Sequence, residues 1–184
     1  MDYLSDFLPR AAEAAWWARR SNKRELSFKG PPVWRLLGVG WFSRVYAHRD
    51  FPEYAVKVSG PAGFGCGSAS RCRPRSDAWP IFAEHCKNNP HKHLPKILHL
   101  ERMSPRYAWA VMPVYHSIDR TVHGHTLDKW SDILHGVKDT SEPWLWPIIS
   151  MARSLCIEVD LHPANVMQDA EGVLILNDPF SFAD

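Results

Sequence analysis

The sequence predicts an α+β protein in two parts, an N-terminal region built on an antiparallel β-sheet and a reduced, largely helical C-terminal region. Three observations carry this expectation. Short runs rich in Val, Leu and aromatic residues, each bounded by Gly, Pro or Asp, crowd residues 33–58 and return at 96–115. Helical periodicity dominates residues 127–156. Finally, 184 residues with 45% apolar and 23% charged side chains are enough for a buried core and too apolar for a disordered chain.

At the N-terminus, Leu4, Phe7, Leu8, Ala11, Ala15 and Ala18 recur at helical spacing, and Trp16 and Trp17 widen the apolar face. A helix is expected over 4–20, with Asp6 suited to its N-cap. Residues 21–32 read as a polar linker closed by Gly30-Pro31-Pro32. Strands are expected at Val33–Leu37, Phe42–Ala47 and Tyr54–Val58. Residues 59–76 hold four Gly, two Pro and four Ser, the composition of an exposed loop. A helix capped by Asp77 follows to Asn88, then strands at Lys96–Glu101 and Tyr107–Tyr115. Helices are expected at Leu127–Lys138 and Trp144–Cys156; Pro143 and Pro147 are tolerable near the start of the second. The chain closes with a hairpin, Val166–Gln168 and Val173–Leu176, around Asp169-Ala170-Glu171-Gly172.

Composition excludes several classes. A net charge of +2 is too balanced for a nucleic-acid binder, and Arg19-Arg20, Lys23-Arg24 and Arg71–Arg75 are separated in the chain. No stretch approaches the ~18 apolar residues of a membrane span. The start, Met1-Asp2-Tyr3-Leu4-Ser5-Asp6, lacks the basic-then-apolar layout of a signal peptide, so a cytoplasmic protein is expected. Cys66, Cys72, Cys86 and Cys156 are then reduced thiols. Cys66, Cys72 and Cys86 with His85, His91 and His93 could supply zinc ligands, but their spacing matches no C-x₂₋₄-C pattern, and free thiols with surface histidines are the expectation. Nine Trp imply a few large aromatic contacts; Trp16-Trp17 and Trp144-Leu145-Trp146 could serve a partner surface or the core.

Four local features carry chemistry. Gly38-Val39-Gly40-Trp41-Phe42-Ser43-Arg44-Val45 is a Gly-rich turn between two strands, where backbone N–H groups can approach phosphate oxygens. Tyr54-Ala55-Val56-Lys57-Val58 sets a Lys amid apolar strand residues, twelve positions after Val45, where a cation gripping phosphates would lie. Val159-Asp160-Leu161-His162-Pro163-Ala164-Asn165 places a carboxylate near an attacking hydroxyl and an amide oxygen near a metal. Leu174-Ile175-Leu176-Asn177-Asp178 ends a hydrophobic strand in an Asp, thirteen residues after Asn165, the position of a magnesium ligand. Each has a plain alternative: a glycine hairpin, a solvent-facing Lys, an Asp/Asn loop and an Asp-Pro turn. Their common order and context favour the chemical reading.

On these motifs the chain resembles the early host-takeover serine/threonine protein kinases of T-odd lytic bacteriophages, within the protein-kinase-like superfamily. The resemblance lies in Leu36-Leu37-Gly38-Val39-Gly40-Trp41-Phe42-Ser43, Val56-Lys57-Val58, Val159–Met167 and Asn177-Asp178-Pro179-Phe180-Ser181-Phe182, and extends patchily over 33–182. It implies a two-lobed fold: an N-terminal helix and linker (1–32), an N-lobe with Gly-rich loop and hinge (33–116) and a reduced C-lobe (117–184). It also implies ATP and Mg²⁺, the bacterial host cytoplasm, and host proteins as substrates, RNA polymerase among them. Ser43 stands where such kinases usually carry a third Gly, and Glu158-Val159 stands where His-Arg would precede the catalytic Asp. Six residues follow Asp178, too few for an activation segment.

The resemblance implies catalytic roles for Asp160 and Lys57. Nucleotide binding is expected from Gly38, Gly40, Ser43, Val45 and Lys57, with Glu84 pairing to Lys57, and metal binding from Asn165 and Asp178. Adenine would lie on Leu37, Val45 and Ala55, near Met112–Tyr115. Two rival functions fit the same residues. One is a pseudokinase that binds and inhibits a host protein. The other is a small-molecule phosphotransferase, suggested by Asp160-Leu161-His162-Pro163, which also resembles aminoglycoside and choline kinases.

Overall fold

The computed structural model describes residues 3–20, 33–61, 78–104, 107–136 and 141–181. The architecture is mixed α/β, with a five-stranded antiparallel sheet and four α-helices among the described residues. The chain divides into two compact units, Met1–Lys87 with Lys96–Val114, and Asn88–Pro95 with Tyr115–Asp184.

The first unit starts with α1 (Tyr3–Arg20), followed by β1 (Trp34–Val39), β2 (Ser43–His48), β3 (Phe51–Ser59), α2 (Trp79–Asn88), β4 (His99–Ser104) and β5 (Tyr107–Pro113). The sheet runs β1-β2-β3-β5-β4. Directly opposed residues of antiparallel strands share a face, so the register sorts the side chains. Tyr46, Val56 and Val111 are in one register row and point one way, with Val58 and Trp109 beside them. Phe7, Ala11, Ala15 and Ala18 of α1 pack on that face, and all nine side chains are buried. Phe7 is the centre of this packing, with ring centroids 5.2–6.0 Å from Tyr54, Phe51 and Trp34. The N-terminal helix, set apart from the sheet region by the sequence, therefore belongs to the same compact unit. Asp6 lies within its first turn rather than at its cap.

The second unit contains β6 (His116–Ser117), α3 (Arg120–Leu134), α4 (Trp146–Leu155), β7 (Glu158–Val159), β8 (Val166–Gln168), β9 (Leu174–Leu176) and β10 (Phe180–Ser181). Single 3₁₀ turns at Pro143–Leu145 and Pro163–Asn165 precede α4 and β8. The expected β8–β9 hairpin is present, with Val166 opposite Leu176 and Gln168 opposite Leu174. Its turn is closed by Asp169, whose carboxylate accepts from the N–H of Glu171 and of Val173, and by Gly172 at φ +80°. α3 begins seven residues earlier than expected. Asp119 is its N-cap and accepts from the Thr121 N–H at 2.9 Å, so a short cap and a polar first turn extend the helix beyond its apolar stripe. The helix expected from Trp144 is a 3₁₀ turn first and turns α-helical at Trp146, with Pro147 in its first turn. β4 starts three residues later than expected, and β6, β7 and β10 are too short to announce themselves in sequence. The linker 21–32, most of the Gly/Ser/Arg loop, Cys66, Cys72 and the Asp77 cap lie outside the described residues.

Candidate functional site

In the first unit, the Gly-rich segment forms the β1–β2 turn. Gly40 N–H donates to the Ser43 carbonyl at 2.9 Å, and Gly60 N–H donates to Phe42 at 2.8 Å, tying the turn to the end of β3. A Cβ on Gly40 would sit 3.3 Å from Ser43 Oγ, whereas one on Gly38 would meet nothing within 4 Å. A side chain at 40 would thus require the Ser43 hydroxyl to give by a few tenths of an ångström, whereas open space surrounds 38. Ser43 is buried, opposite Ser59.

Gly38, Val45, Lys57 and Ala110 are consecutive partners across β1, β2, β3 and β5 and share the sheet face turned away from α1. Ala55 and Met112, opposite each other one strand period away, lie on the same face. Lys57 is thus flanked by small or slender side chains. It is not the solvent-facing member of an alternation: it is 2% exposed, with Nζ 4.3 Å from the ring centroid of Trp79, itself 1% exposed. The aromatic face offsets part of the cost of burying an ammonium group. Leu37 falls at the irregularity between Leu36 and Gly38 and is exposed, as are Val39 and Trp41.

Glu84, expected beside Lys57, is placed elsewhere. α2 buries Trp79, Phe82, Ala83 and Cys86 along one face, and Glu84 projects from the other. Its side chain is 59% exposed, and its carboxylate lies 3.7 Å from the Arg102 guanidinium on β4. Helical phase decides this: 79, 82/83 and 86 form the inward stripe, and 84 falls outside it. Trp79 of α2 touches Lys57, a role that its sequence context did not signal.

In the second unit, three of the expected residues meet at the backbone level. Asn165 Nδ2 donates to the Asp160 carbonyl at 3.1 Å and to Asp160 Oδ2 at 3.2 Å. The Asn165 carbonyl accepts from both Asn177 N–H (2.8 Å) and Asp178 N–H (3.2 Å). Asp160 N–H donates to Pro179 at 2.8 Å, and β7 pairs with β10, Val159 opposite Phe180. The loop carrying Asp160 and Asn165 is therefore stitched to the segment carrying Asp178. His162 stabilises the intervening turn, its Nδ1 accepting from Ala164 N–H at 3.2 Å.

The donors at this corner are all oxygens, which suits a hard divalent cation. Because the Asn165 NH₂ points to Asp160, its Oδ1 is the amide edge left for such an ion. Only two carboxylates belong to the set, and among the described residues no group of three or more His, Cys, Asp or Glu side chains gathers to hold a metal. Of the alternative zinc set, Cys66 and Cys72 lie outside the described residues. Cys86 is buried, and burial raises its thiol to about 12. His93, expected at the surface, is half-buried with Nδ1 2.8 Å from the Leu174 carbonyl oxygen.

Among the described residues, no helix is long and apolar enough to cross a membrane. No protein-family model and no curated protein matches the chain. Among solved structures it is distantly similar to the protein kinase Rad53, residues 1–466, in complex with AMP-PNP, at 19% identity and a TM-score of 0.40. The match covers 78% of this chain and 36% of that one, so the chain spans about a third of the length of the structure it matches.

Proposed function

We propose that the protein is an ATP-dependent phosphotransferase acting on a protein hydroxyl, of the serine/threonine kinase kind. The observation that carries this reading is the Asp160–Asn165–Asp178 corner. One asparagine ties a carboxylate to its own side chain and the backbone of a second acidic residue to its own carbonyl. That arrangement serves a reaction needing an acid to orient a hydroxyl next to oxygen donors for a cation.

In the proposed mechanism the first unit grips the nucleotide. The Gly38–Ser43 turn, whose Gly40 N–H is held by the Ser43 carbonyl, brings its other backbone N–H groups to phosphate oxygens, and the Lys57 ammonium offsets phosphate charge. Val45, Ala55 and Met112, on the Lys57 face, provide an apolar bed for the base. In the second unit, Asp160 accepts or orients the proton of the acceptor hydroxyl, and Asn165 holds the Asp160 carboxylate in place. Asn165 Oδ1 and the Asp178 carboxylate are the residues that would hold Mg²⁺, which when bound supplies positive charge to the transferring phosphoryl group. The contribution of the chain is chiefly positioning and electrostatics. The motif resemblance, D-P-x-S-F above all, extends the proposal to host proteins as acceptors during phage takeover, RNA polymerase among them.

The test is transfer of labelled phosphate from ATP to proteins of a bacterial lysate in Mg²⁺, with wild type beside Asp160→Asn and Lys57→Met. Wild type should label protein bands. Lys57→Met, which keeps an apolar stem on Trp79, should lose on the order of 10²–10³ in rate with an unchanged circular dichroism spectrum. Equal labelling by all three proteins would refute the assignment. ATP binding without transfer would point to the non-catalytic inhibitor, and labelling of small molecules alone to a metabolite phosphotransferase.

A further inference from the structure

We propose that His93 is a positioning residue for Asp178, fixing the strand that delivers it; this rests on the phosphotransferase reading for the importance of Asp178. His93 bonds β9 twice. Its imidazole Nδ1 lies 2.8 Å from the Leu174 carbonyl oxygen, and its own carbonyl accepts from Leu176 N–H at 2.9 Å. A carbonyl oxygen can only accept, so Nδ1 carries the hydrogen, and the tautomer is set by the strand. One edge of β9 is occupied by β8, and the segment around His93 takes bonds from the other. Ring and backbone act on alternate residues of the same short strand, so β9 cannot slide without losing both bonds. Asp178 follows Leu176 by two residues, and its N–H is bonded to Asn165.

The imidazole is itself held. Its ring centroid is 5.0 Å from that of Trp130, edge to face at 70°, and 5.4 Å from that of Trp144. Trp130 and Trp144 meet at 5.0 Å, and His91 stacks on Trp144 at 5.2 Å with an interplanar angle of 19°. Trp144 Nε1–H donates to Glu142 Oε2 at 2.8 Å, while Glu142 Oε1 accepts from Lys129 Nζ at 3.0 Å. This aromatic box, anchored by an ion pair, restricts the ring to the orientation that reaches Leu174. A purely space-filling histidine would not need its nitrogen directed at the strand.

The experiment compares full-length wild type with His93→Leu, which removes the donor, and His93→Asn, whose amide NH₂ can occupy the Nδ1 position. Two readouts are taken: amide hydrogen exchange across 174–178, and the affinity for Mn²⁺·ATP by calorimetry. In His93→Leu, exchange at Leu176 and Asp178 should rise about tenfold and Mn²⁺·ATP affinity should fall about two- to tenfold, the worth of one hydrogen bond. His93→Asn should restore both, and exchange in β1–β3 should not move in either variant. Unchanged exchange over 174–178 in His93→Leu, or an Asn variant as impaired as Leu, would overturn the proposal. Should His93→Leu fail to fold, His93→Gln serves in its place. Its donor lies at the Nε2 position, so it should exchange faster than Asn, and equal rates would overturn the proposal. Failure of wild type to bind Mn²⁺·ATP would instead overturn the phosphotransferase reading, while the exchange pattern would still decide whether His93 sets the strand.

Discussion

Asn165→Ala removes both side-chain bonds to Asp160 and leaves intact the backbone carbonyl that accepts from Asn177 and Asp178. The bond to the carboxylate belongs to a class worth about 1.5–3 kcal/mol and the bond to the carbonyl to one worth about 0.5–1.5 kcal/mol. Asn165 and Asp160 are both half-buried, so water replaces part of what is lost. The expected destabilisation is therefore about 2 kcal/mol, a Tm decrease of roughly 4–8 °C for a chain of this size. Asn165→Asp should be worse, because it removes the donors and sets a second negative charge against Asp160. Mg²⁺ should narrow the gap between the Asp variant and wild type if the corner binds the cation. Urea unfolding followed by fluorescence, with and without Mg²⁺, measures all three proteins. An Asn165→Ala protein within about 0.3 kcal/mol of wild type, well under the worth of a single bond, would refute the tie between these residues.

Two other predictions follow from burial. Cys86 is 2% exposed with its thiol raised to about 12, whereas Cys156 is exposed at the left-handed C-cap of α4. Iodoacetamide at pH 8 should modify Cys156 in the native protein and Cys86 only after denaturation, and native labelling of Cys86 by peptide mapping would contradict its burial. Burial also lowers His48, His85 and His91 below their ordinary 6.5; Arg10 and Arg49 add to this at His48, where Asp50 opposes it, and His93 and Lys92 add to it at His91, where Glu142 opposes it. In each case the unfolded chain takes up a proton first. The stability tied to these groups is full above pH 6.5 and is lost as pH falls through the lowered values. Chemical denaturation from pH 8 to 5 should show that decline, and His48→Phe should flatten it; a His48→Phe profile as steep as wild type would exclude His48 as a contributor.

By itself the sequence determined the elements whose signals are local. The spacing of Phe7, Ala11, Ala15 and Ala18 specifies a helix because a 3.6-residue period gathers them on one stripe. Asp169 and Gly172 specify the β8–β9 turn because one carboxylate caps two N–H groups and one residue must adopt positive φ. Tertiary structure decided whatever depends on which face meets which neighbour. Lys57 reads in sequence as a phosphate-gripping cation with a solvent-facing strand residue as the alternative, and its burial against Trp79 is decided by the fold; Glu84 reads as its partner until the phase of α2 carries it out to Arg102. The start of α3 rests on Asp119, and β6, β7 and β10 are two-residue strands formed through pairing with distant segments. His93 offers the clearest contrast. Nothing within a few residues of it indicates the 81-residue separation from Leu174, and long-range bonds of this kind leave no periodic trace because their geometry is fixed by the packing of the whole unit.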